Sequence, residues 1–211
     1  VTIIETADTI LSSIDKEVVD LLKKSYKKRG IRILESTNVA SVTESTESIS
    51  LKLLNSESTM VEDFNCVLLA TGRIPNTSGL NLESAGVITD KFGFIKVNDD
   101  YSTNIDSIYA IGDVIGGLML AHKASADGKK VIAILADSRS SKKTSSIPAV
   151  VFTDPEIAWC GLTETEAIND DRKIQVAKFP WGASGRAQTL GRPDGVTKLI
   201  IDPKTEQVLG A

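Results

Sequence analysis

A carboxylate placed just after a glycine, at the end of an apolar run, is held in a fixed direction by the chain behind it. Tyr109-Ala110-Ile111-Gly112-Asp113, preceded by Thr103, is such a run. There Asp113 can accept hydrogen bonds from a polyol, while Gly112 leaves room for the polyol to pass. Shortly after it, Met119-Leu120-Ala121-His122 opens a helical pattern. The first N–H groups of a helix have no intrahelical partner and carry partial positive charge, so this end would stabilise an anionic ring. The plainer alternative is that Asp113 only caps its turn and His122 is an ordinary polar residue at a helix start. His122 is the sole histidine. A positive helix end lowers the basicity of an imidazole beside it, so the backbone N–H, rather than a general base, is the useful group there.

Two further positions suit a nucleotide. Glu5 closes the β-branched strand Val1-Thr2-Ile3-Ile4, and an acid at the carboxyl end of the second strand of a dinucleotide fold accepts hydrogen bonds from the adenosine ribose. Residues Thr6 to Thr9 include no arginine or lysine to neutralise a ribose phosphate, which favours NAD over NADP. On its own, Glu5 also reads as a solvated strand-end charge. Gly72, after an apolar run, allows close backbone approach to a nucleotide or serves simply as a turn residue.

The elements that would position these residues follow from periodicity. Asp15 is the expected N-cap of a helix with Val18, Leu21, Leu22, Ser25 and Tyr26 on one face, ended by Gly30 and followed by the strand Ile31 to Leu34. A strand-helix-strand unit of this length requires parallel pairing. Residues 38 to 54 alternate around Glu44-Ser45-Thr46-Glu47 as a hairpin or meander. Phe64 to Ala70 reads as a strand covered on both faces. Short strands at 93–97 and 108–113 precede a helix from about 120 to 137, with Ala124, Val131, Ile132 and Leu135 inward. The serine- and lysine-rich stretch 137–146 reads as a surface linker. Beyond it, strands at 147–152, 157–160, 174–179, 197–201 and 207–210 surround one short helix, where Thr163 and Glu166 have capping-box spacing.

Composition bounds the partners. The 211 residues carry 24 basic and 28 acidic side chains, for a net charge of -4, and provide no basic field for nucleic acid or an anionic membrane. Neither a membrane-spanning run nor a secretory signal is present in the sequence, so the reading is cytoplasmic. Cys66 and Cys160 are far apart with apolar neighbours and read as buried thiols rather than as a disulfide or metal site. Strand patterns at both ends of the chain suggest a fragment cut on both sides.

Ala70-Thr71-Gly72-Arg73-Ile74-Pro75-Asn76 and Tyr109 to Asp113 resemble the two midchain motifs of the pyridine nucleotide-disulfide oxidoreductases. Met119 to Ala124, Phe152 to Trp159 and Phe179 to Ala187 resemble the dihydrolipoyl dehydrogenases within that family. The resemblance implies an α/β architecture: partial FAD- and NAD(P)-binding, Rossmann-like domains, then the start of an α+β dimerisation domain. Its divisions would be an NAD-binding part at 1–75, a central part with the FAD-contacting segment at 76–145, and an interface part at 146–211. FAD would meet Asp113, Met119, Leu120, Ala121 and His122; NAD would meet Glu5, Val39, Gly72 and Arg73. The parent would be a homodimer that oxidises protein-bound dihydrolipoamide through a redox disulfide and FAD to NAD. It would serve the lipoyl domains of 2-oxoacid dehydrogenase complexes, in the cytoplasm or, for a eukaryotic source, the mitochondrial matrix. The redox cysteines and the histidine base would lie outside this chain, leaving the piece alone inactive. Alternatives are another flavin disulfide reductase, of the glutathione or mercuric reductase type, or a non-catalytic dimerising or nucleotide-binding fragment.

Overall fold

The computed structural model describes residues 1–136 and 146–211, so all but the last residue of the expected 137–146 linker lies outside the described residues. The chain forms two compact units, one of residues 1–69 with 148–211 and the other of residues 70–147. The first and last thirds of the chain therefore share one body.

In the first unit, β1 (Thr2–Ile4) pairs in parallel with β2 (Arg32–Leu34) across helix α1 (Lys16–Lys28), as the strand-helix-strand pattern requires. The α1 residues most deeply buried are Val19 and Leu22, so the inward face is rotated from the expected one by about a residue. The reason is a second neighbour: Ile157 and, at its edge, Val151 and Trp159 join Ile10, Ile14, Val19 and Leu22 in one core, so the helix is covered on more than its sheet side. A three-stranded antiparallel meander follows, of β3 (Asn38–Glu44), β4 (Ile49–Leu54) and β5 (Thr59–Phe64), with only Leu51 and Leu53 of the central strand buried.

The apolar run after β5 corrects an expectation. Residues 65–70 form no strand, and Leu68 and Leu69 are 87% and 81% exposed. A strand exists only where another offers its backbone groups, and no described strand pairs with this run. Cys66, expected as a buried thiol, is exposed with it; Cys160 is half-buried.

The same unit continues with the antiparallel pair β6 (Ala149–Val151) and β7 (Ile157–Trp159). Helix α3 (Glu164–Asn169) carries the predicted capping box: the Glu166 amide donates to Thr163 Oγ1 at 3.1 Å and the Thr163 amide to Glu166 Oε2 at 2.9 Å. Strands β8 (Gln175–Pro180), β9 (Val196–Ile201) and β10 (Val208–Gly210) form an antiparallel sheet with β9 central, and the short helix α4 (Gly185–Thr189) interrupts the β8–β9 connection. Lys198 of β9, its side chain only 6% exposed, meets Asp15, Glu17 and Glu164 and so ties α1 to α3 and the sheet.

The second unit is built around Val87, Ile95 and Ala110, with Val97, Ile108, Val114 and Ile115 packed against them. The expected strands at 93–97 and 108–113 reduce to single bridges, Thr89 with Ile95 and Ser102 with Tyr109. Turns every few residues leave no length for a ladder. Residues Gly112–Ile115 form a 3-10 turn, and helix α2 spans Ala121–Leu135. Val131 is inward as expected, whereas Ile132 and Leu135 are exposed. The buried stripe of α2 runs instead through Asp127 and Val131, one turn apart, because the Asp127 carboxylate is held inside by three donors.

Candidate functional site

The 3-10 turn and the start of α2 are pressed together at one glycine. Gly112 has φ +75°, and a Cβ there would stand 2.9 Å from Ala124 Cβ. Its missing side chain thus admits the helix. Asp113, the next residue, is exposed, and its carbonyl oxygen accepts from the Gly116 amide at 3.1 Å. Helix α2 starts from an extended Leu120 (φ -127°, ψ 133°) with no side-chain cap and no acidic residue in its first turn. Its N-terminal dipole is therefore uncompensated by any acid in that turn. Met119 and Leu120 are half-buried, and Ala121 and His122 exposed. An exposed carboxylate beside an uncapped helix start is a donor-acceptor set that fits a ligand carrying hydroxyls at one place and anionic or carbonyl oxygens at another.

Behind this set lies Asp127, which sequence reasoning missed. The residue is 3% exposed. Oδ1 accepts from the Tyr101 hydroxyl at 2.8 Å; Oδ2 accepts from the Gly112 amide at 3.2 Å and meets Lys123 Nζ at 2.8 Å. Burial alone would raise its carboxyl, but Lys123, Tyr101 and the Gly112 amide outweigh burial and hold it below the ordinary range. Tyr101 is pushed up to about 12 by burial and by its bond to the Asp127 carboxylate. The available signal was the Lys123/Asp127 spacing of four on a helix, with the acid falling among apolar positions.

The residues expected at a nucleotide divide between the two units. In the first, Glu5 Oε1 accepts from the Ala7 amide at 2.9 Å and from Thr6 Oγ1 at 3.3 Å, which fixes the carboxylate at the end of β1. The Thr37 amide donates to the Glu5 carbonyl at 2.9 Å. That bond brings the start of β3, including the exposed Val39, beside the strand end. Lys23 reaches Thr9 Oγ1 at 2.7 Å, a cation that local sequence did not reveal, but its ammonium is paired with Glu35 at 2.6 Å. In the second unit, Gly72 is exposed with φ +122° and open space around its Cβ direction, a conformation that favours glycine. Arg73 Nη1 donates to the Met119 carbonyl at 3.0 Å and so anchors the segment that leads into α2.

Among the described residues no cluster could hold a metal ion, and no helix is long and apolar enough to cross a membrane.

Comparison with known proteins extends these observations. Residues 1–128 match the family model described as pyridine nucleotide-disulphide oxidoreductase, and residues 147–211 match the dimerisation domain of that family. The chain is 40% identical over 213 residues to a dihydrolipoyl dehydrogenase of Buchnera aphidicola subsp. Schizaphis graminum, covering 100% of this chain and 44% of the relative. It is 39% identical over 213 residues to a mitochondrial dihydrolipoyl dehydrogenase of Pisum sativum, covering 100% of this chain and 42% of the relative. Among solved structures, the HOCl-induced flavoprotein disulfide reductase RclA of Escherichia coli superposes with a TM-score of 0.85 at 27% identity, over 99% of this chain and 48% of that one. The chain spans less than half the length of the proteins it matches.

Proposed function

We propose that this chain, which belongs to the pyridine nucleotide-disulphide oxidoreductase family, is part of a dihydrolipoyl dehydrogenase that passes electrons from dihydrolipoamide through a redox disulfide and FAD to NAD. The supporting observation for the substrate is the similarity along the whole chain to proteins bearing that name, at 39% and 40% identity. A bound flavin supplies two-electron transfer between a dithiol and a nicotinamide. This chain's own residues bind and orient. The Asp113 carboxylate accepts hydrogen bonds from the ribityl hydroxyls. The amides of the first turn of α2, at Ala121 and His122 and approached through Met119 and Leu120, would donate hydrogen bonds to oxygens of the flavin ring. Arg73 keeps that approach in place through the Met119 carbonyl.

On the nucleotide side, Glu5 takes the adenosine ribose hydroxyls, Val39 covers the adenine, and the Gly72-Arg73 turn lets the backbone come close. NAD is the chosen nucleotide because Glu5 would repel a ribose phosphate, and the nearby Lys23 is already neutralised by Glu35. Residues 1–75 then form the NAD-binding part, 76–145 the central part and 146–211 the interface part. The dimerisation-domain match supports a second copy of the chain as partner. Lipoyl-bearing proteins of 2-oxoacid dehydrogenase complexes are the substrates, in the cytoplasm or the mitochondrial matrix. A second reading, a flavoprotein reductase of another disulfide, is favoured by the structural similarity to RclA.

The deciding experiment measures NADH formation from dihydrolipoamide by the full-length protein, and separately NADPH oxidation with glutathione disulfide. Turnover in the first assay alone is expected. Turnover only in the second would replace the substrate assignment, and turnover in neither, with no flavin bound, would favour a non-catalytic dimerising protein.

A further inference from the structure

Three separate stretches of the second unit converge on one carboxylate. Tyr101 comes from the loop before the candidate site, Gly112 from the turn that carries Asp113, and Lys123 from the first turn of α2; all three reach Asp127. Two of these contacts land one residue away from groups assigned to the flavin: Gly112 precedes Asp113, and Lys123 follows His122. A carboxylate offers about four acceptor sites on two oxygens; Asp127 Oδ2 joins the turn to the helix through the Gly112 amide and Lys123, and Oδ1 holds the Tyr101 loop. An apolar residue of similar size could fill the same space without the desolvation cost of a buried charge. What it could not supply is direction, because only an acceptor fixes the orientation of the Gly112 amide and hence of the Ile111-Gly112 peptide from which the chain turns into Asp113. The Tyr101 ring is held in turn from outside by Lys130, whose ammonium lies 4.9 Å from its centroid.

We propose that Asp127 is the positioning residue of the flavin site, setting through Gly112 and Lys123 where Asp113 and the opening turn of α2 stand. It does not touch the cofactor. The inference rests on the flavin reading of Asp113, and its test keeps the two apart.

The test uses apoprotein of the full-length chain titrated with FAD, with flavin fluorescence giving the Kd and the visible absorption bands reporting the environment of the ring. Asp127→Asn is expected to weaken FAD binding about tenfold and to shift the flavin bands. Asp127→Glu, which keeps the carboxylate, is expected to recover most of both. Tyr101→Phe removes one of the three donors and is expected to weaken binding about threefold. Should Asp127→Asn not fold, the tyrosine variant decides, and an unchanged Kd there overturns the proposal. An unchanged Kd and spectrum in a folded Asp127→Asn protein, while Asp113→Asn weakens FAD, overturns the positioning role and leaves the flavin reading intact. If Asp113→Asn itself has no effect, the flavin reading falls and this inference falls with it.

Discussion

Replacing Lys198 by methionine tests whether α1 is tied to α3 and the sheet of β8, β9 and β10 by charge. The lysine side chain is 6% exposed and contacts Asp15 at 2.9 Å, Glu17 at 2.8 Å and Glu164 at 2.5 Å. Methionine keeps most of the stem volume, so little packing is lost. Glu17 and Glu164, 38% and 35% exposed, can turn to water. Asp15, at 11%, cannot. Removing one partner of a buried pair costs about 3–5 kcal/mol; with two of the three acids able to rehydrate, the lower end applies, about 3 kcal/mol.

The pH dependence of that penalty has a definite sign. Burial would raise the Asp15 carboxyl, but Lys198 and the Glu164 and Thr165 amides hold it below its ordinary value; Glu17 is likewise held low, against burial, by Lys178 and Lys198. These contributions are present above the unfolded carboxylate values, near pH 4, and are lost as pH falls through the folded ones. Burial would lower the Lys198 ammonium, yet its three acids raise it. Its contribution is therefore complete below the unfolded lysine value of about 10.4 and is lost only as pH rises through the folded one. Urea unfolding of the full-length protein, followed by tryptophan fluorescence, should show the full deficit at pH 7 and a shrinking one from about pH 4 downward. Adding Asp15→Asn should return part of the stability. A deficit under about 1 kcal/mol at pH 7, or one that does not change in acid, would refute the buried-network account.

Gly112→Ala places a methyl 2.9 Å from Ala124 Cβ at a backbone φ of +75°. A loss of about 2–4 kcal/mol in urea unfolding, with weakened FAD retention, is expected. Glu5→Gln removes the charge from the proposed ribose acceptor; steady-state kinetics of the full-length protein should show the KM for NAD raised about tenfold with kcat little changed.

What the sequence made legible was local. The strand-helix-strand pattern of residues 1 to 34 and the Thr163/Glu166 capping box depend on near neighbours, and both are present as expected. Features decided by distant partners were not legible. Asp15 stands at the N-cap of α1, yet its side chain accepts from the Glu164 and Thr165 amides, 149 and 150 residues away, and serves the start of α3 instead. The apolar run 65–70 has the composition of a buried strand but pairs with no described strand. On α2, hydrophobicity pointed inward at Ile132 and Leu135, whereas the helix is oriented by a buried acid whose donors come from Tyr101 and Gly112. At the candidate site, the motif residues were readable as types; the bond from Arg73 to the Met119 carbonyl was not.

The decisive observation is where the Asp113 carboxylate lies when the full-length protein holds FAD. A crystal structure of that complex should place it within about 3 Å of a ribityl hydroxyl, with amides of the first turn of α2 donating to oxygens of the flavin ring. A flavin bound elsewhere, with Asp113 turned into solvent and the helix start in contact with no cofactor atom, would contradict it.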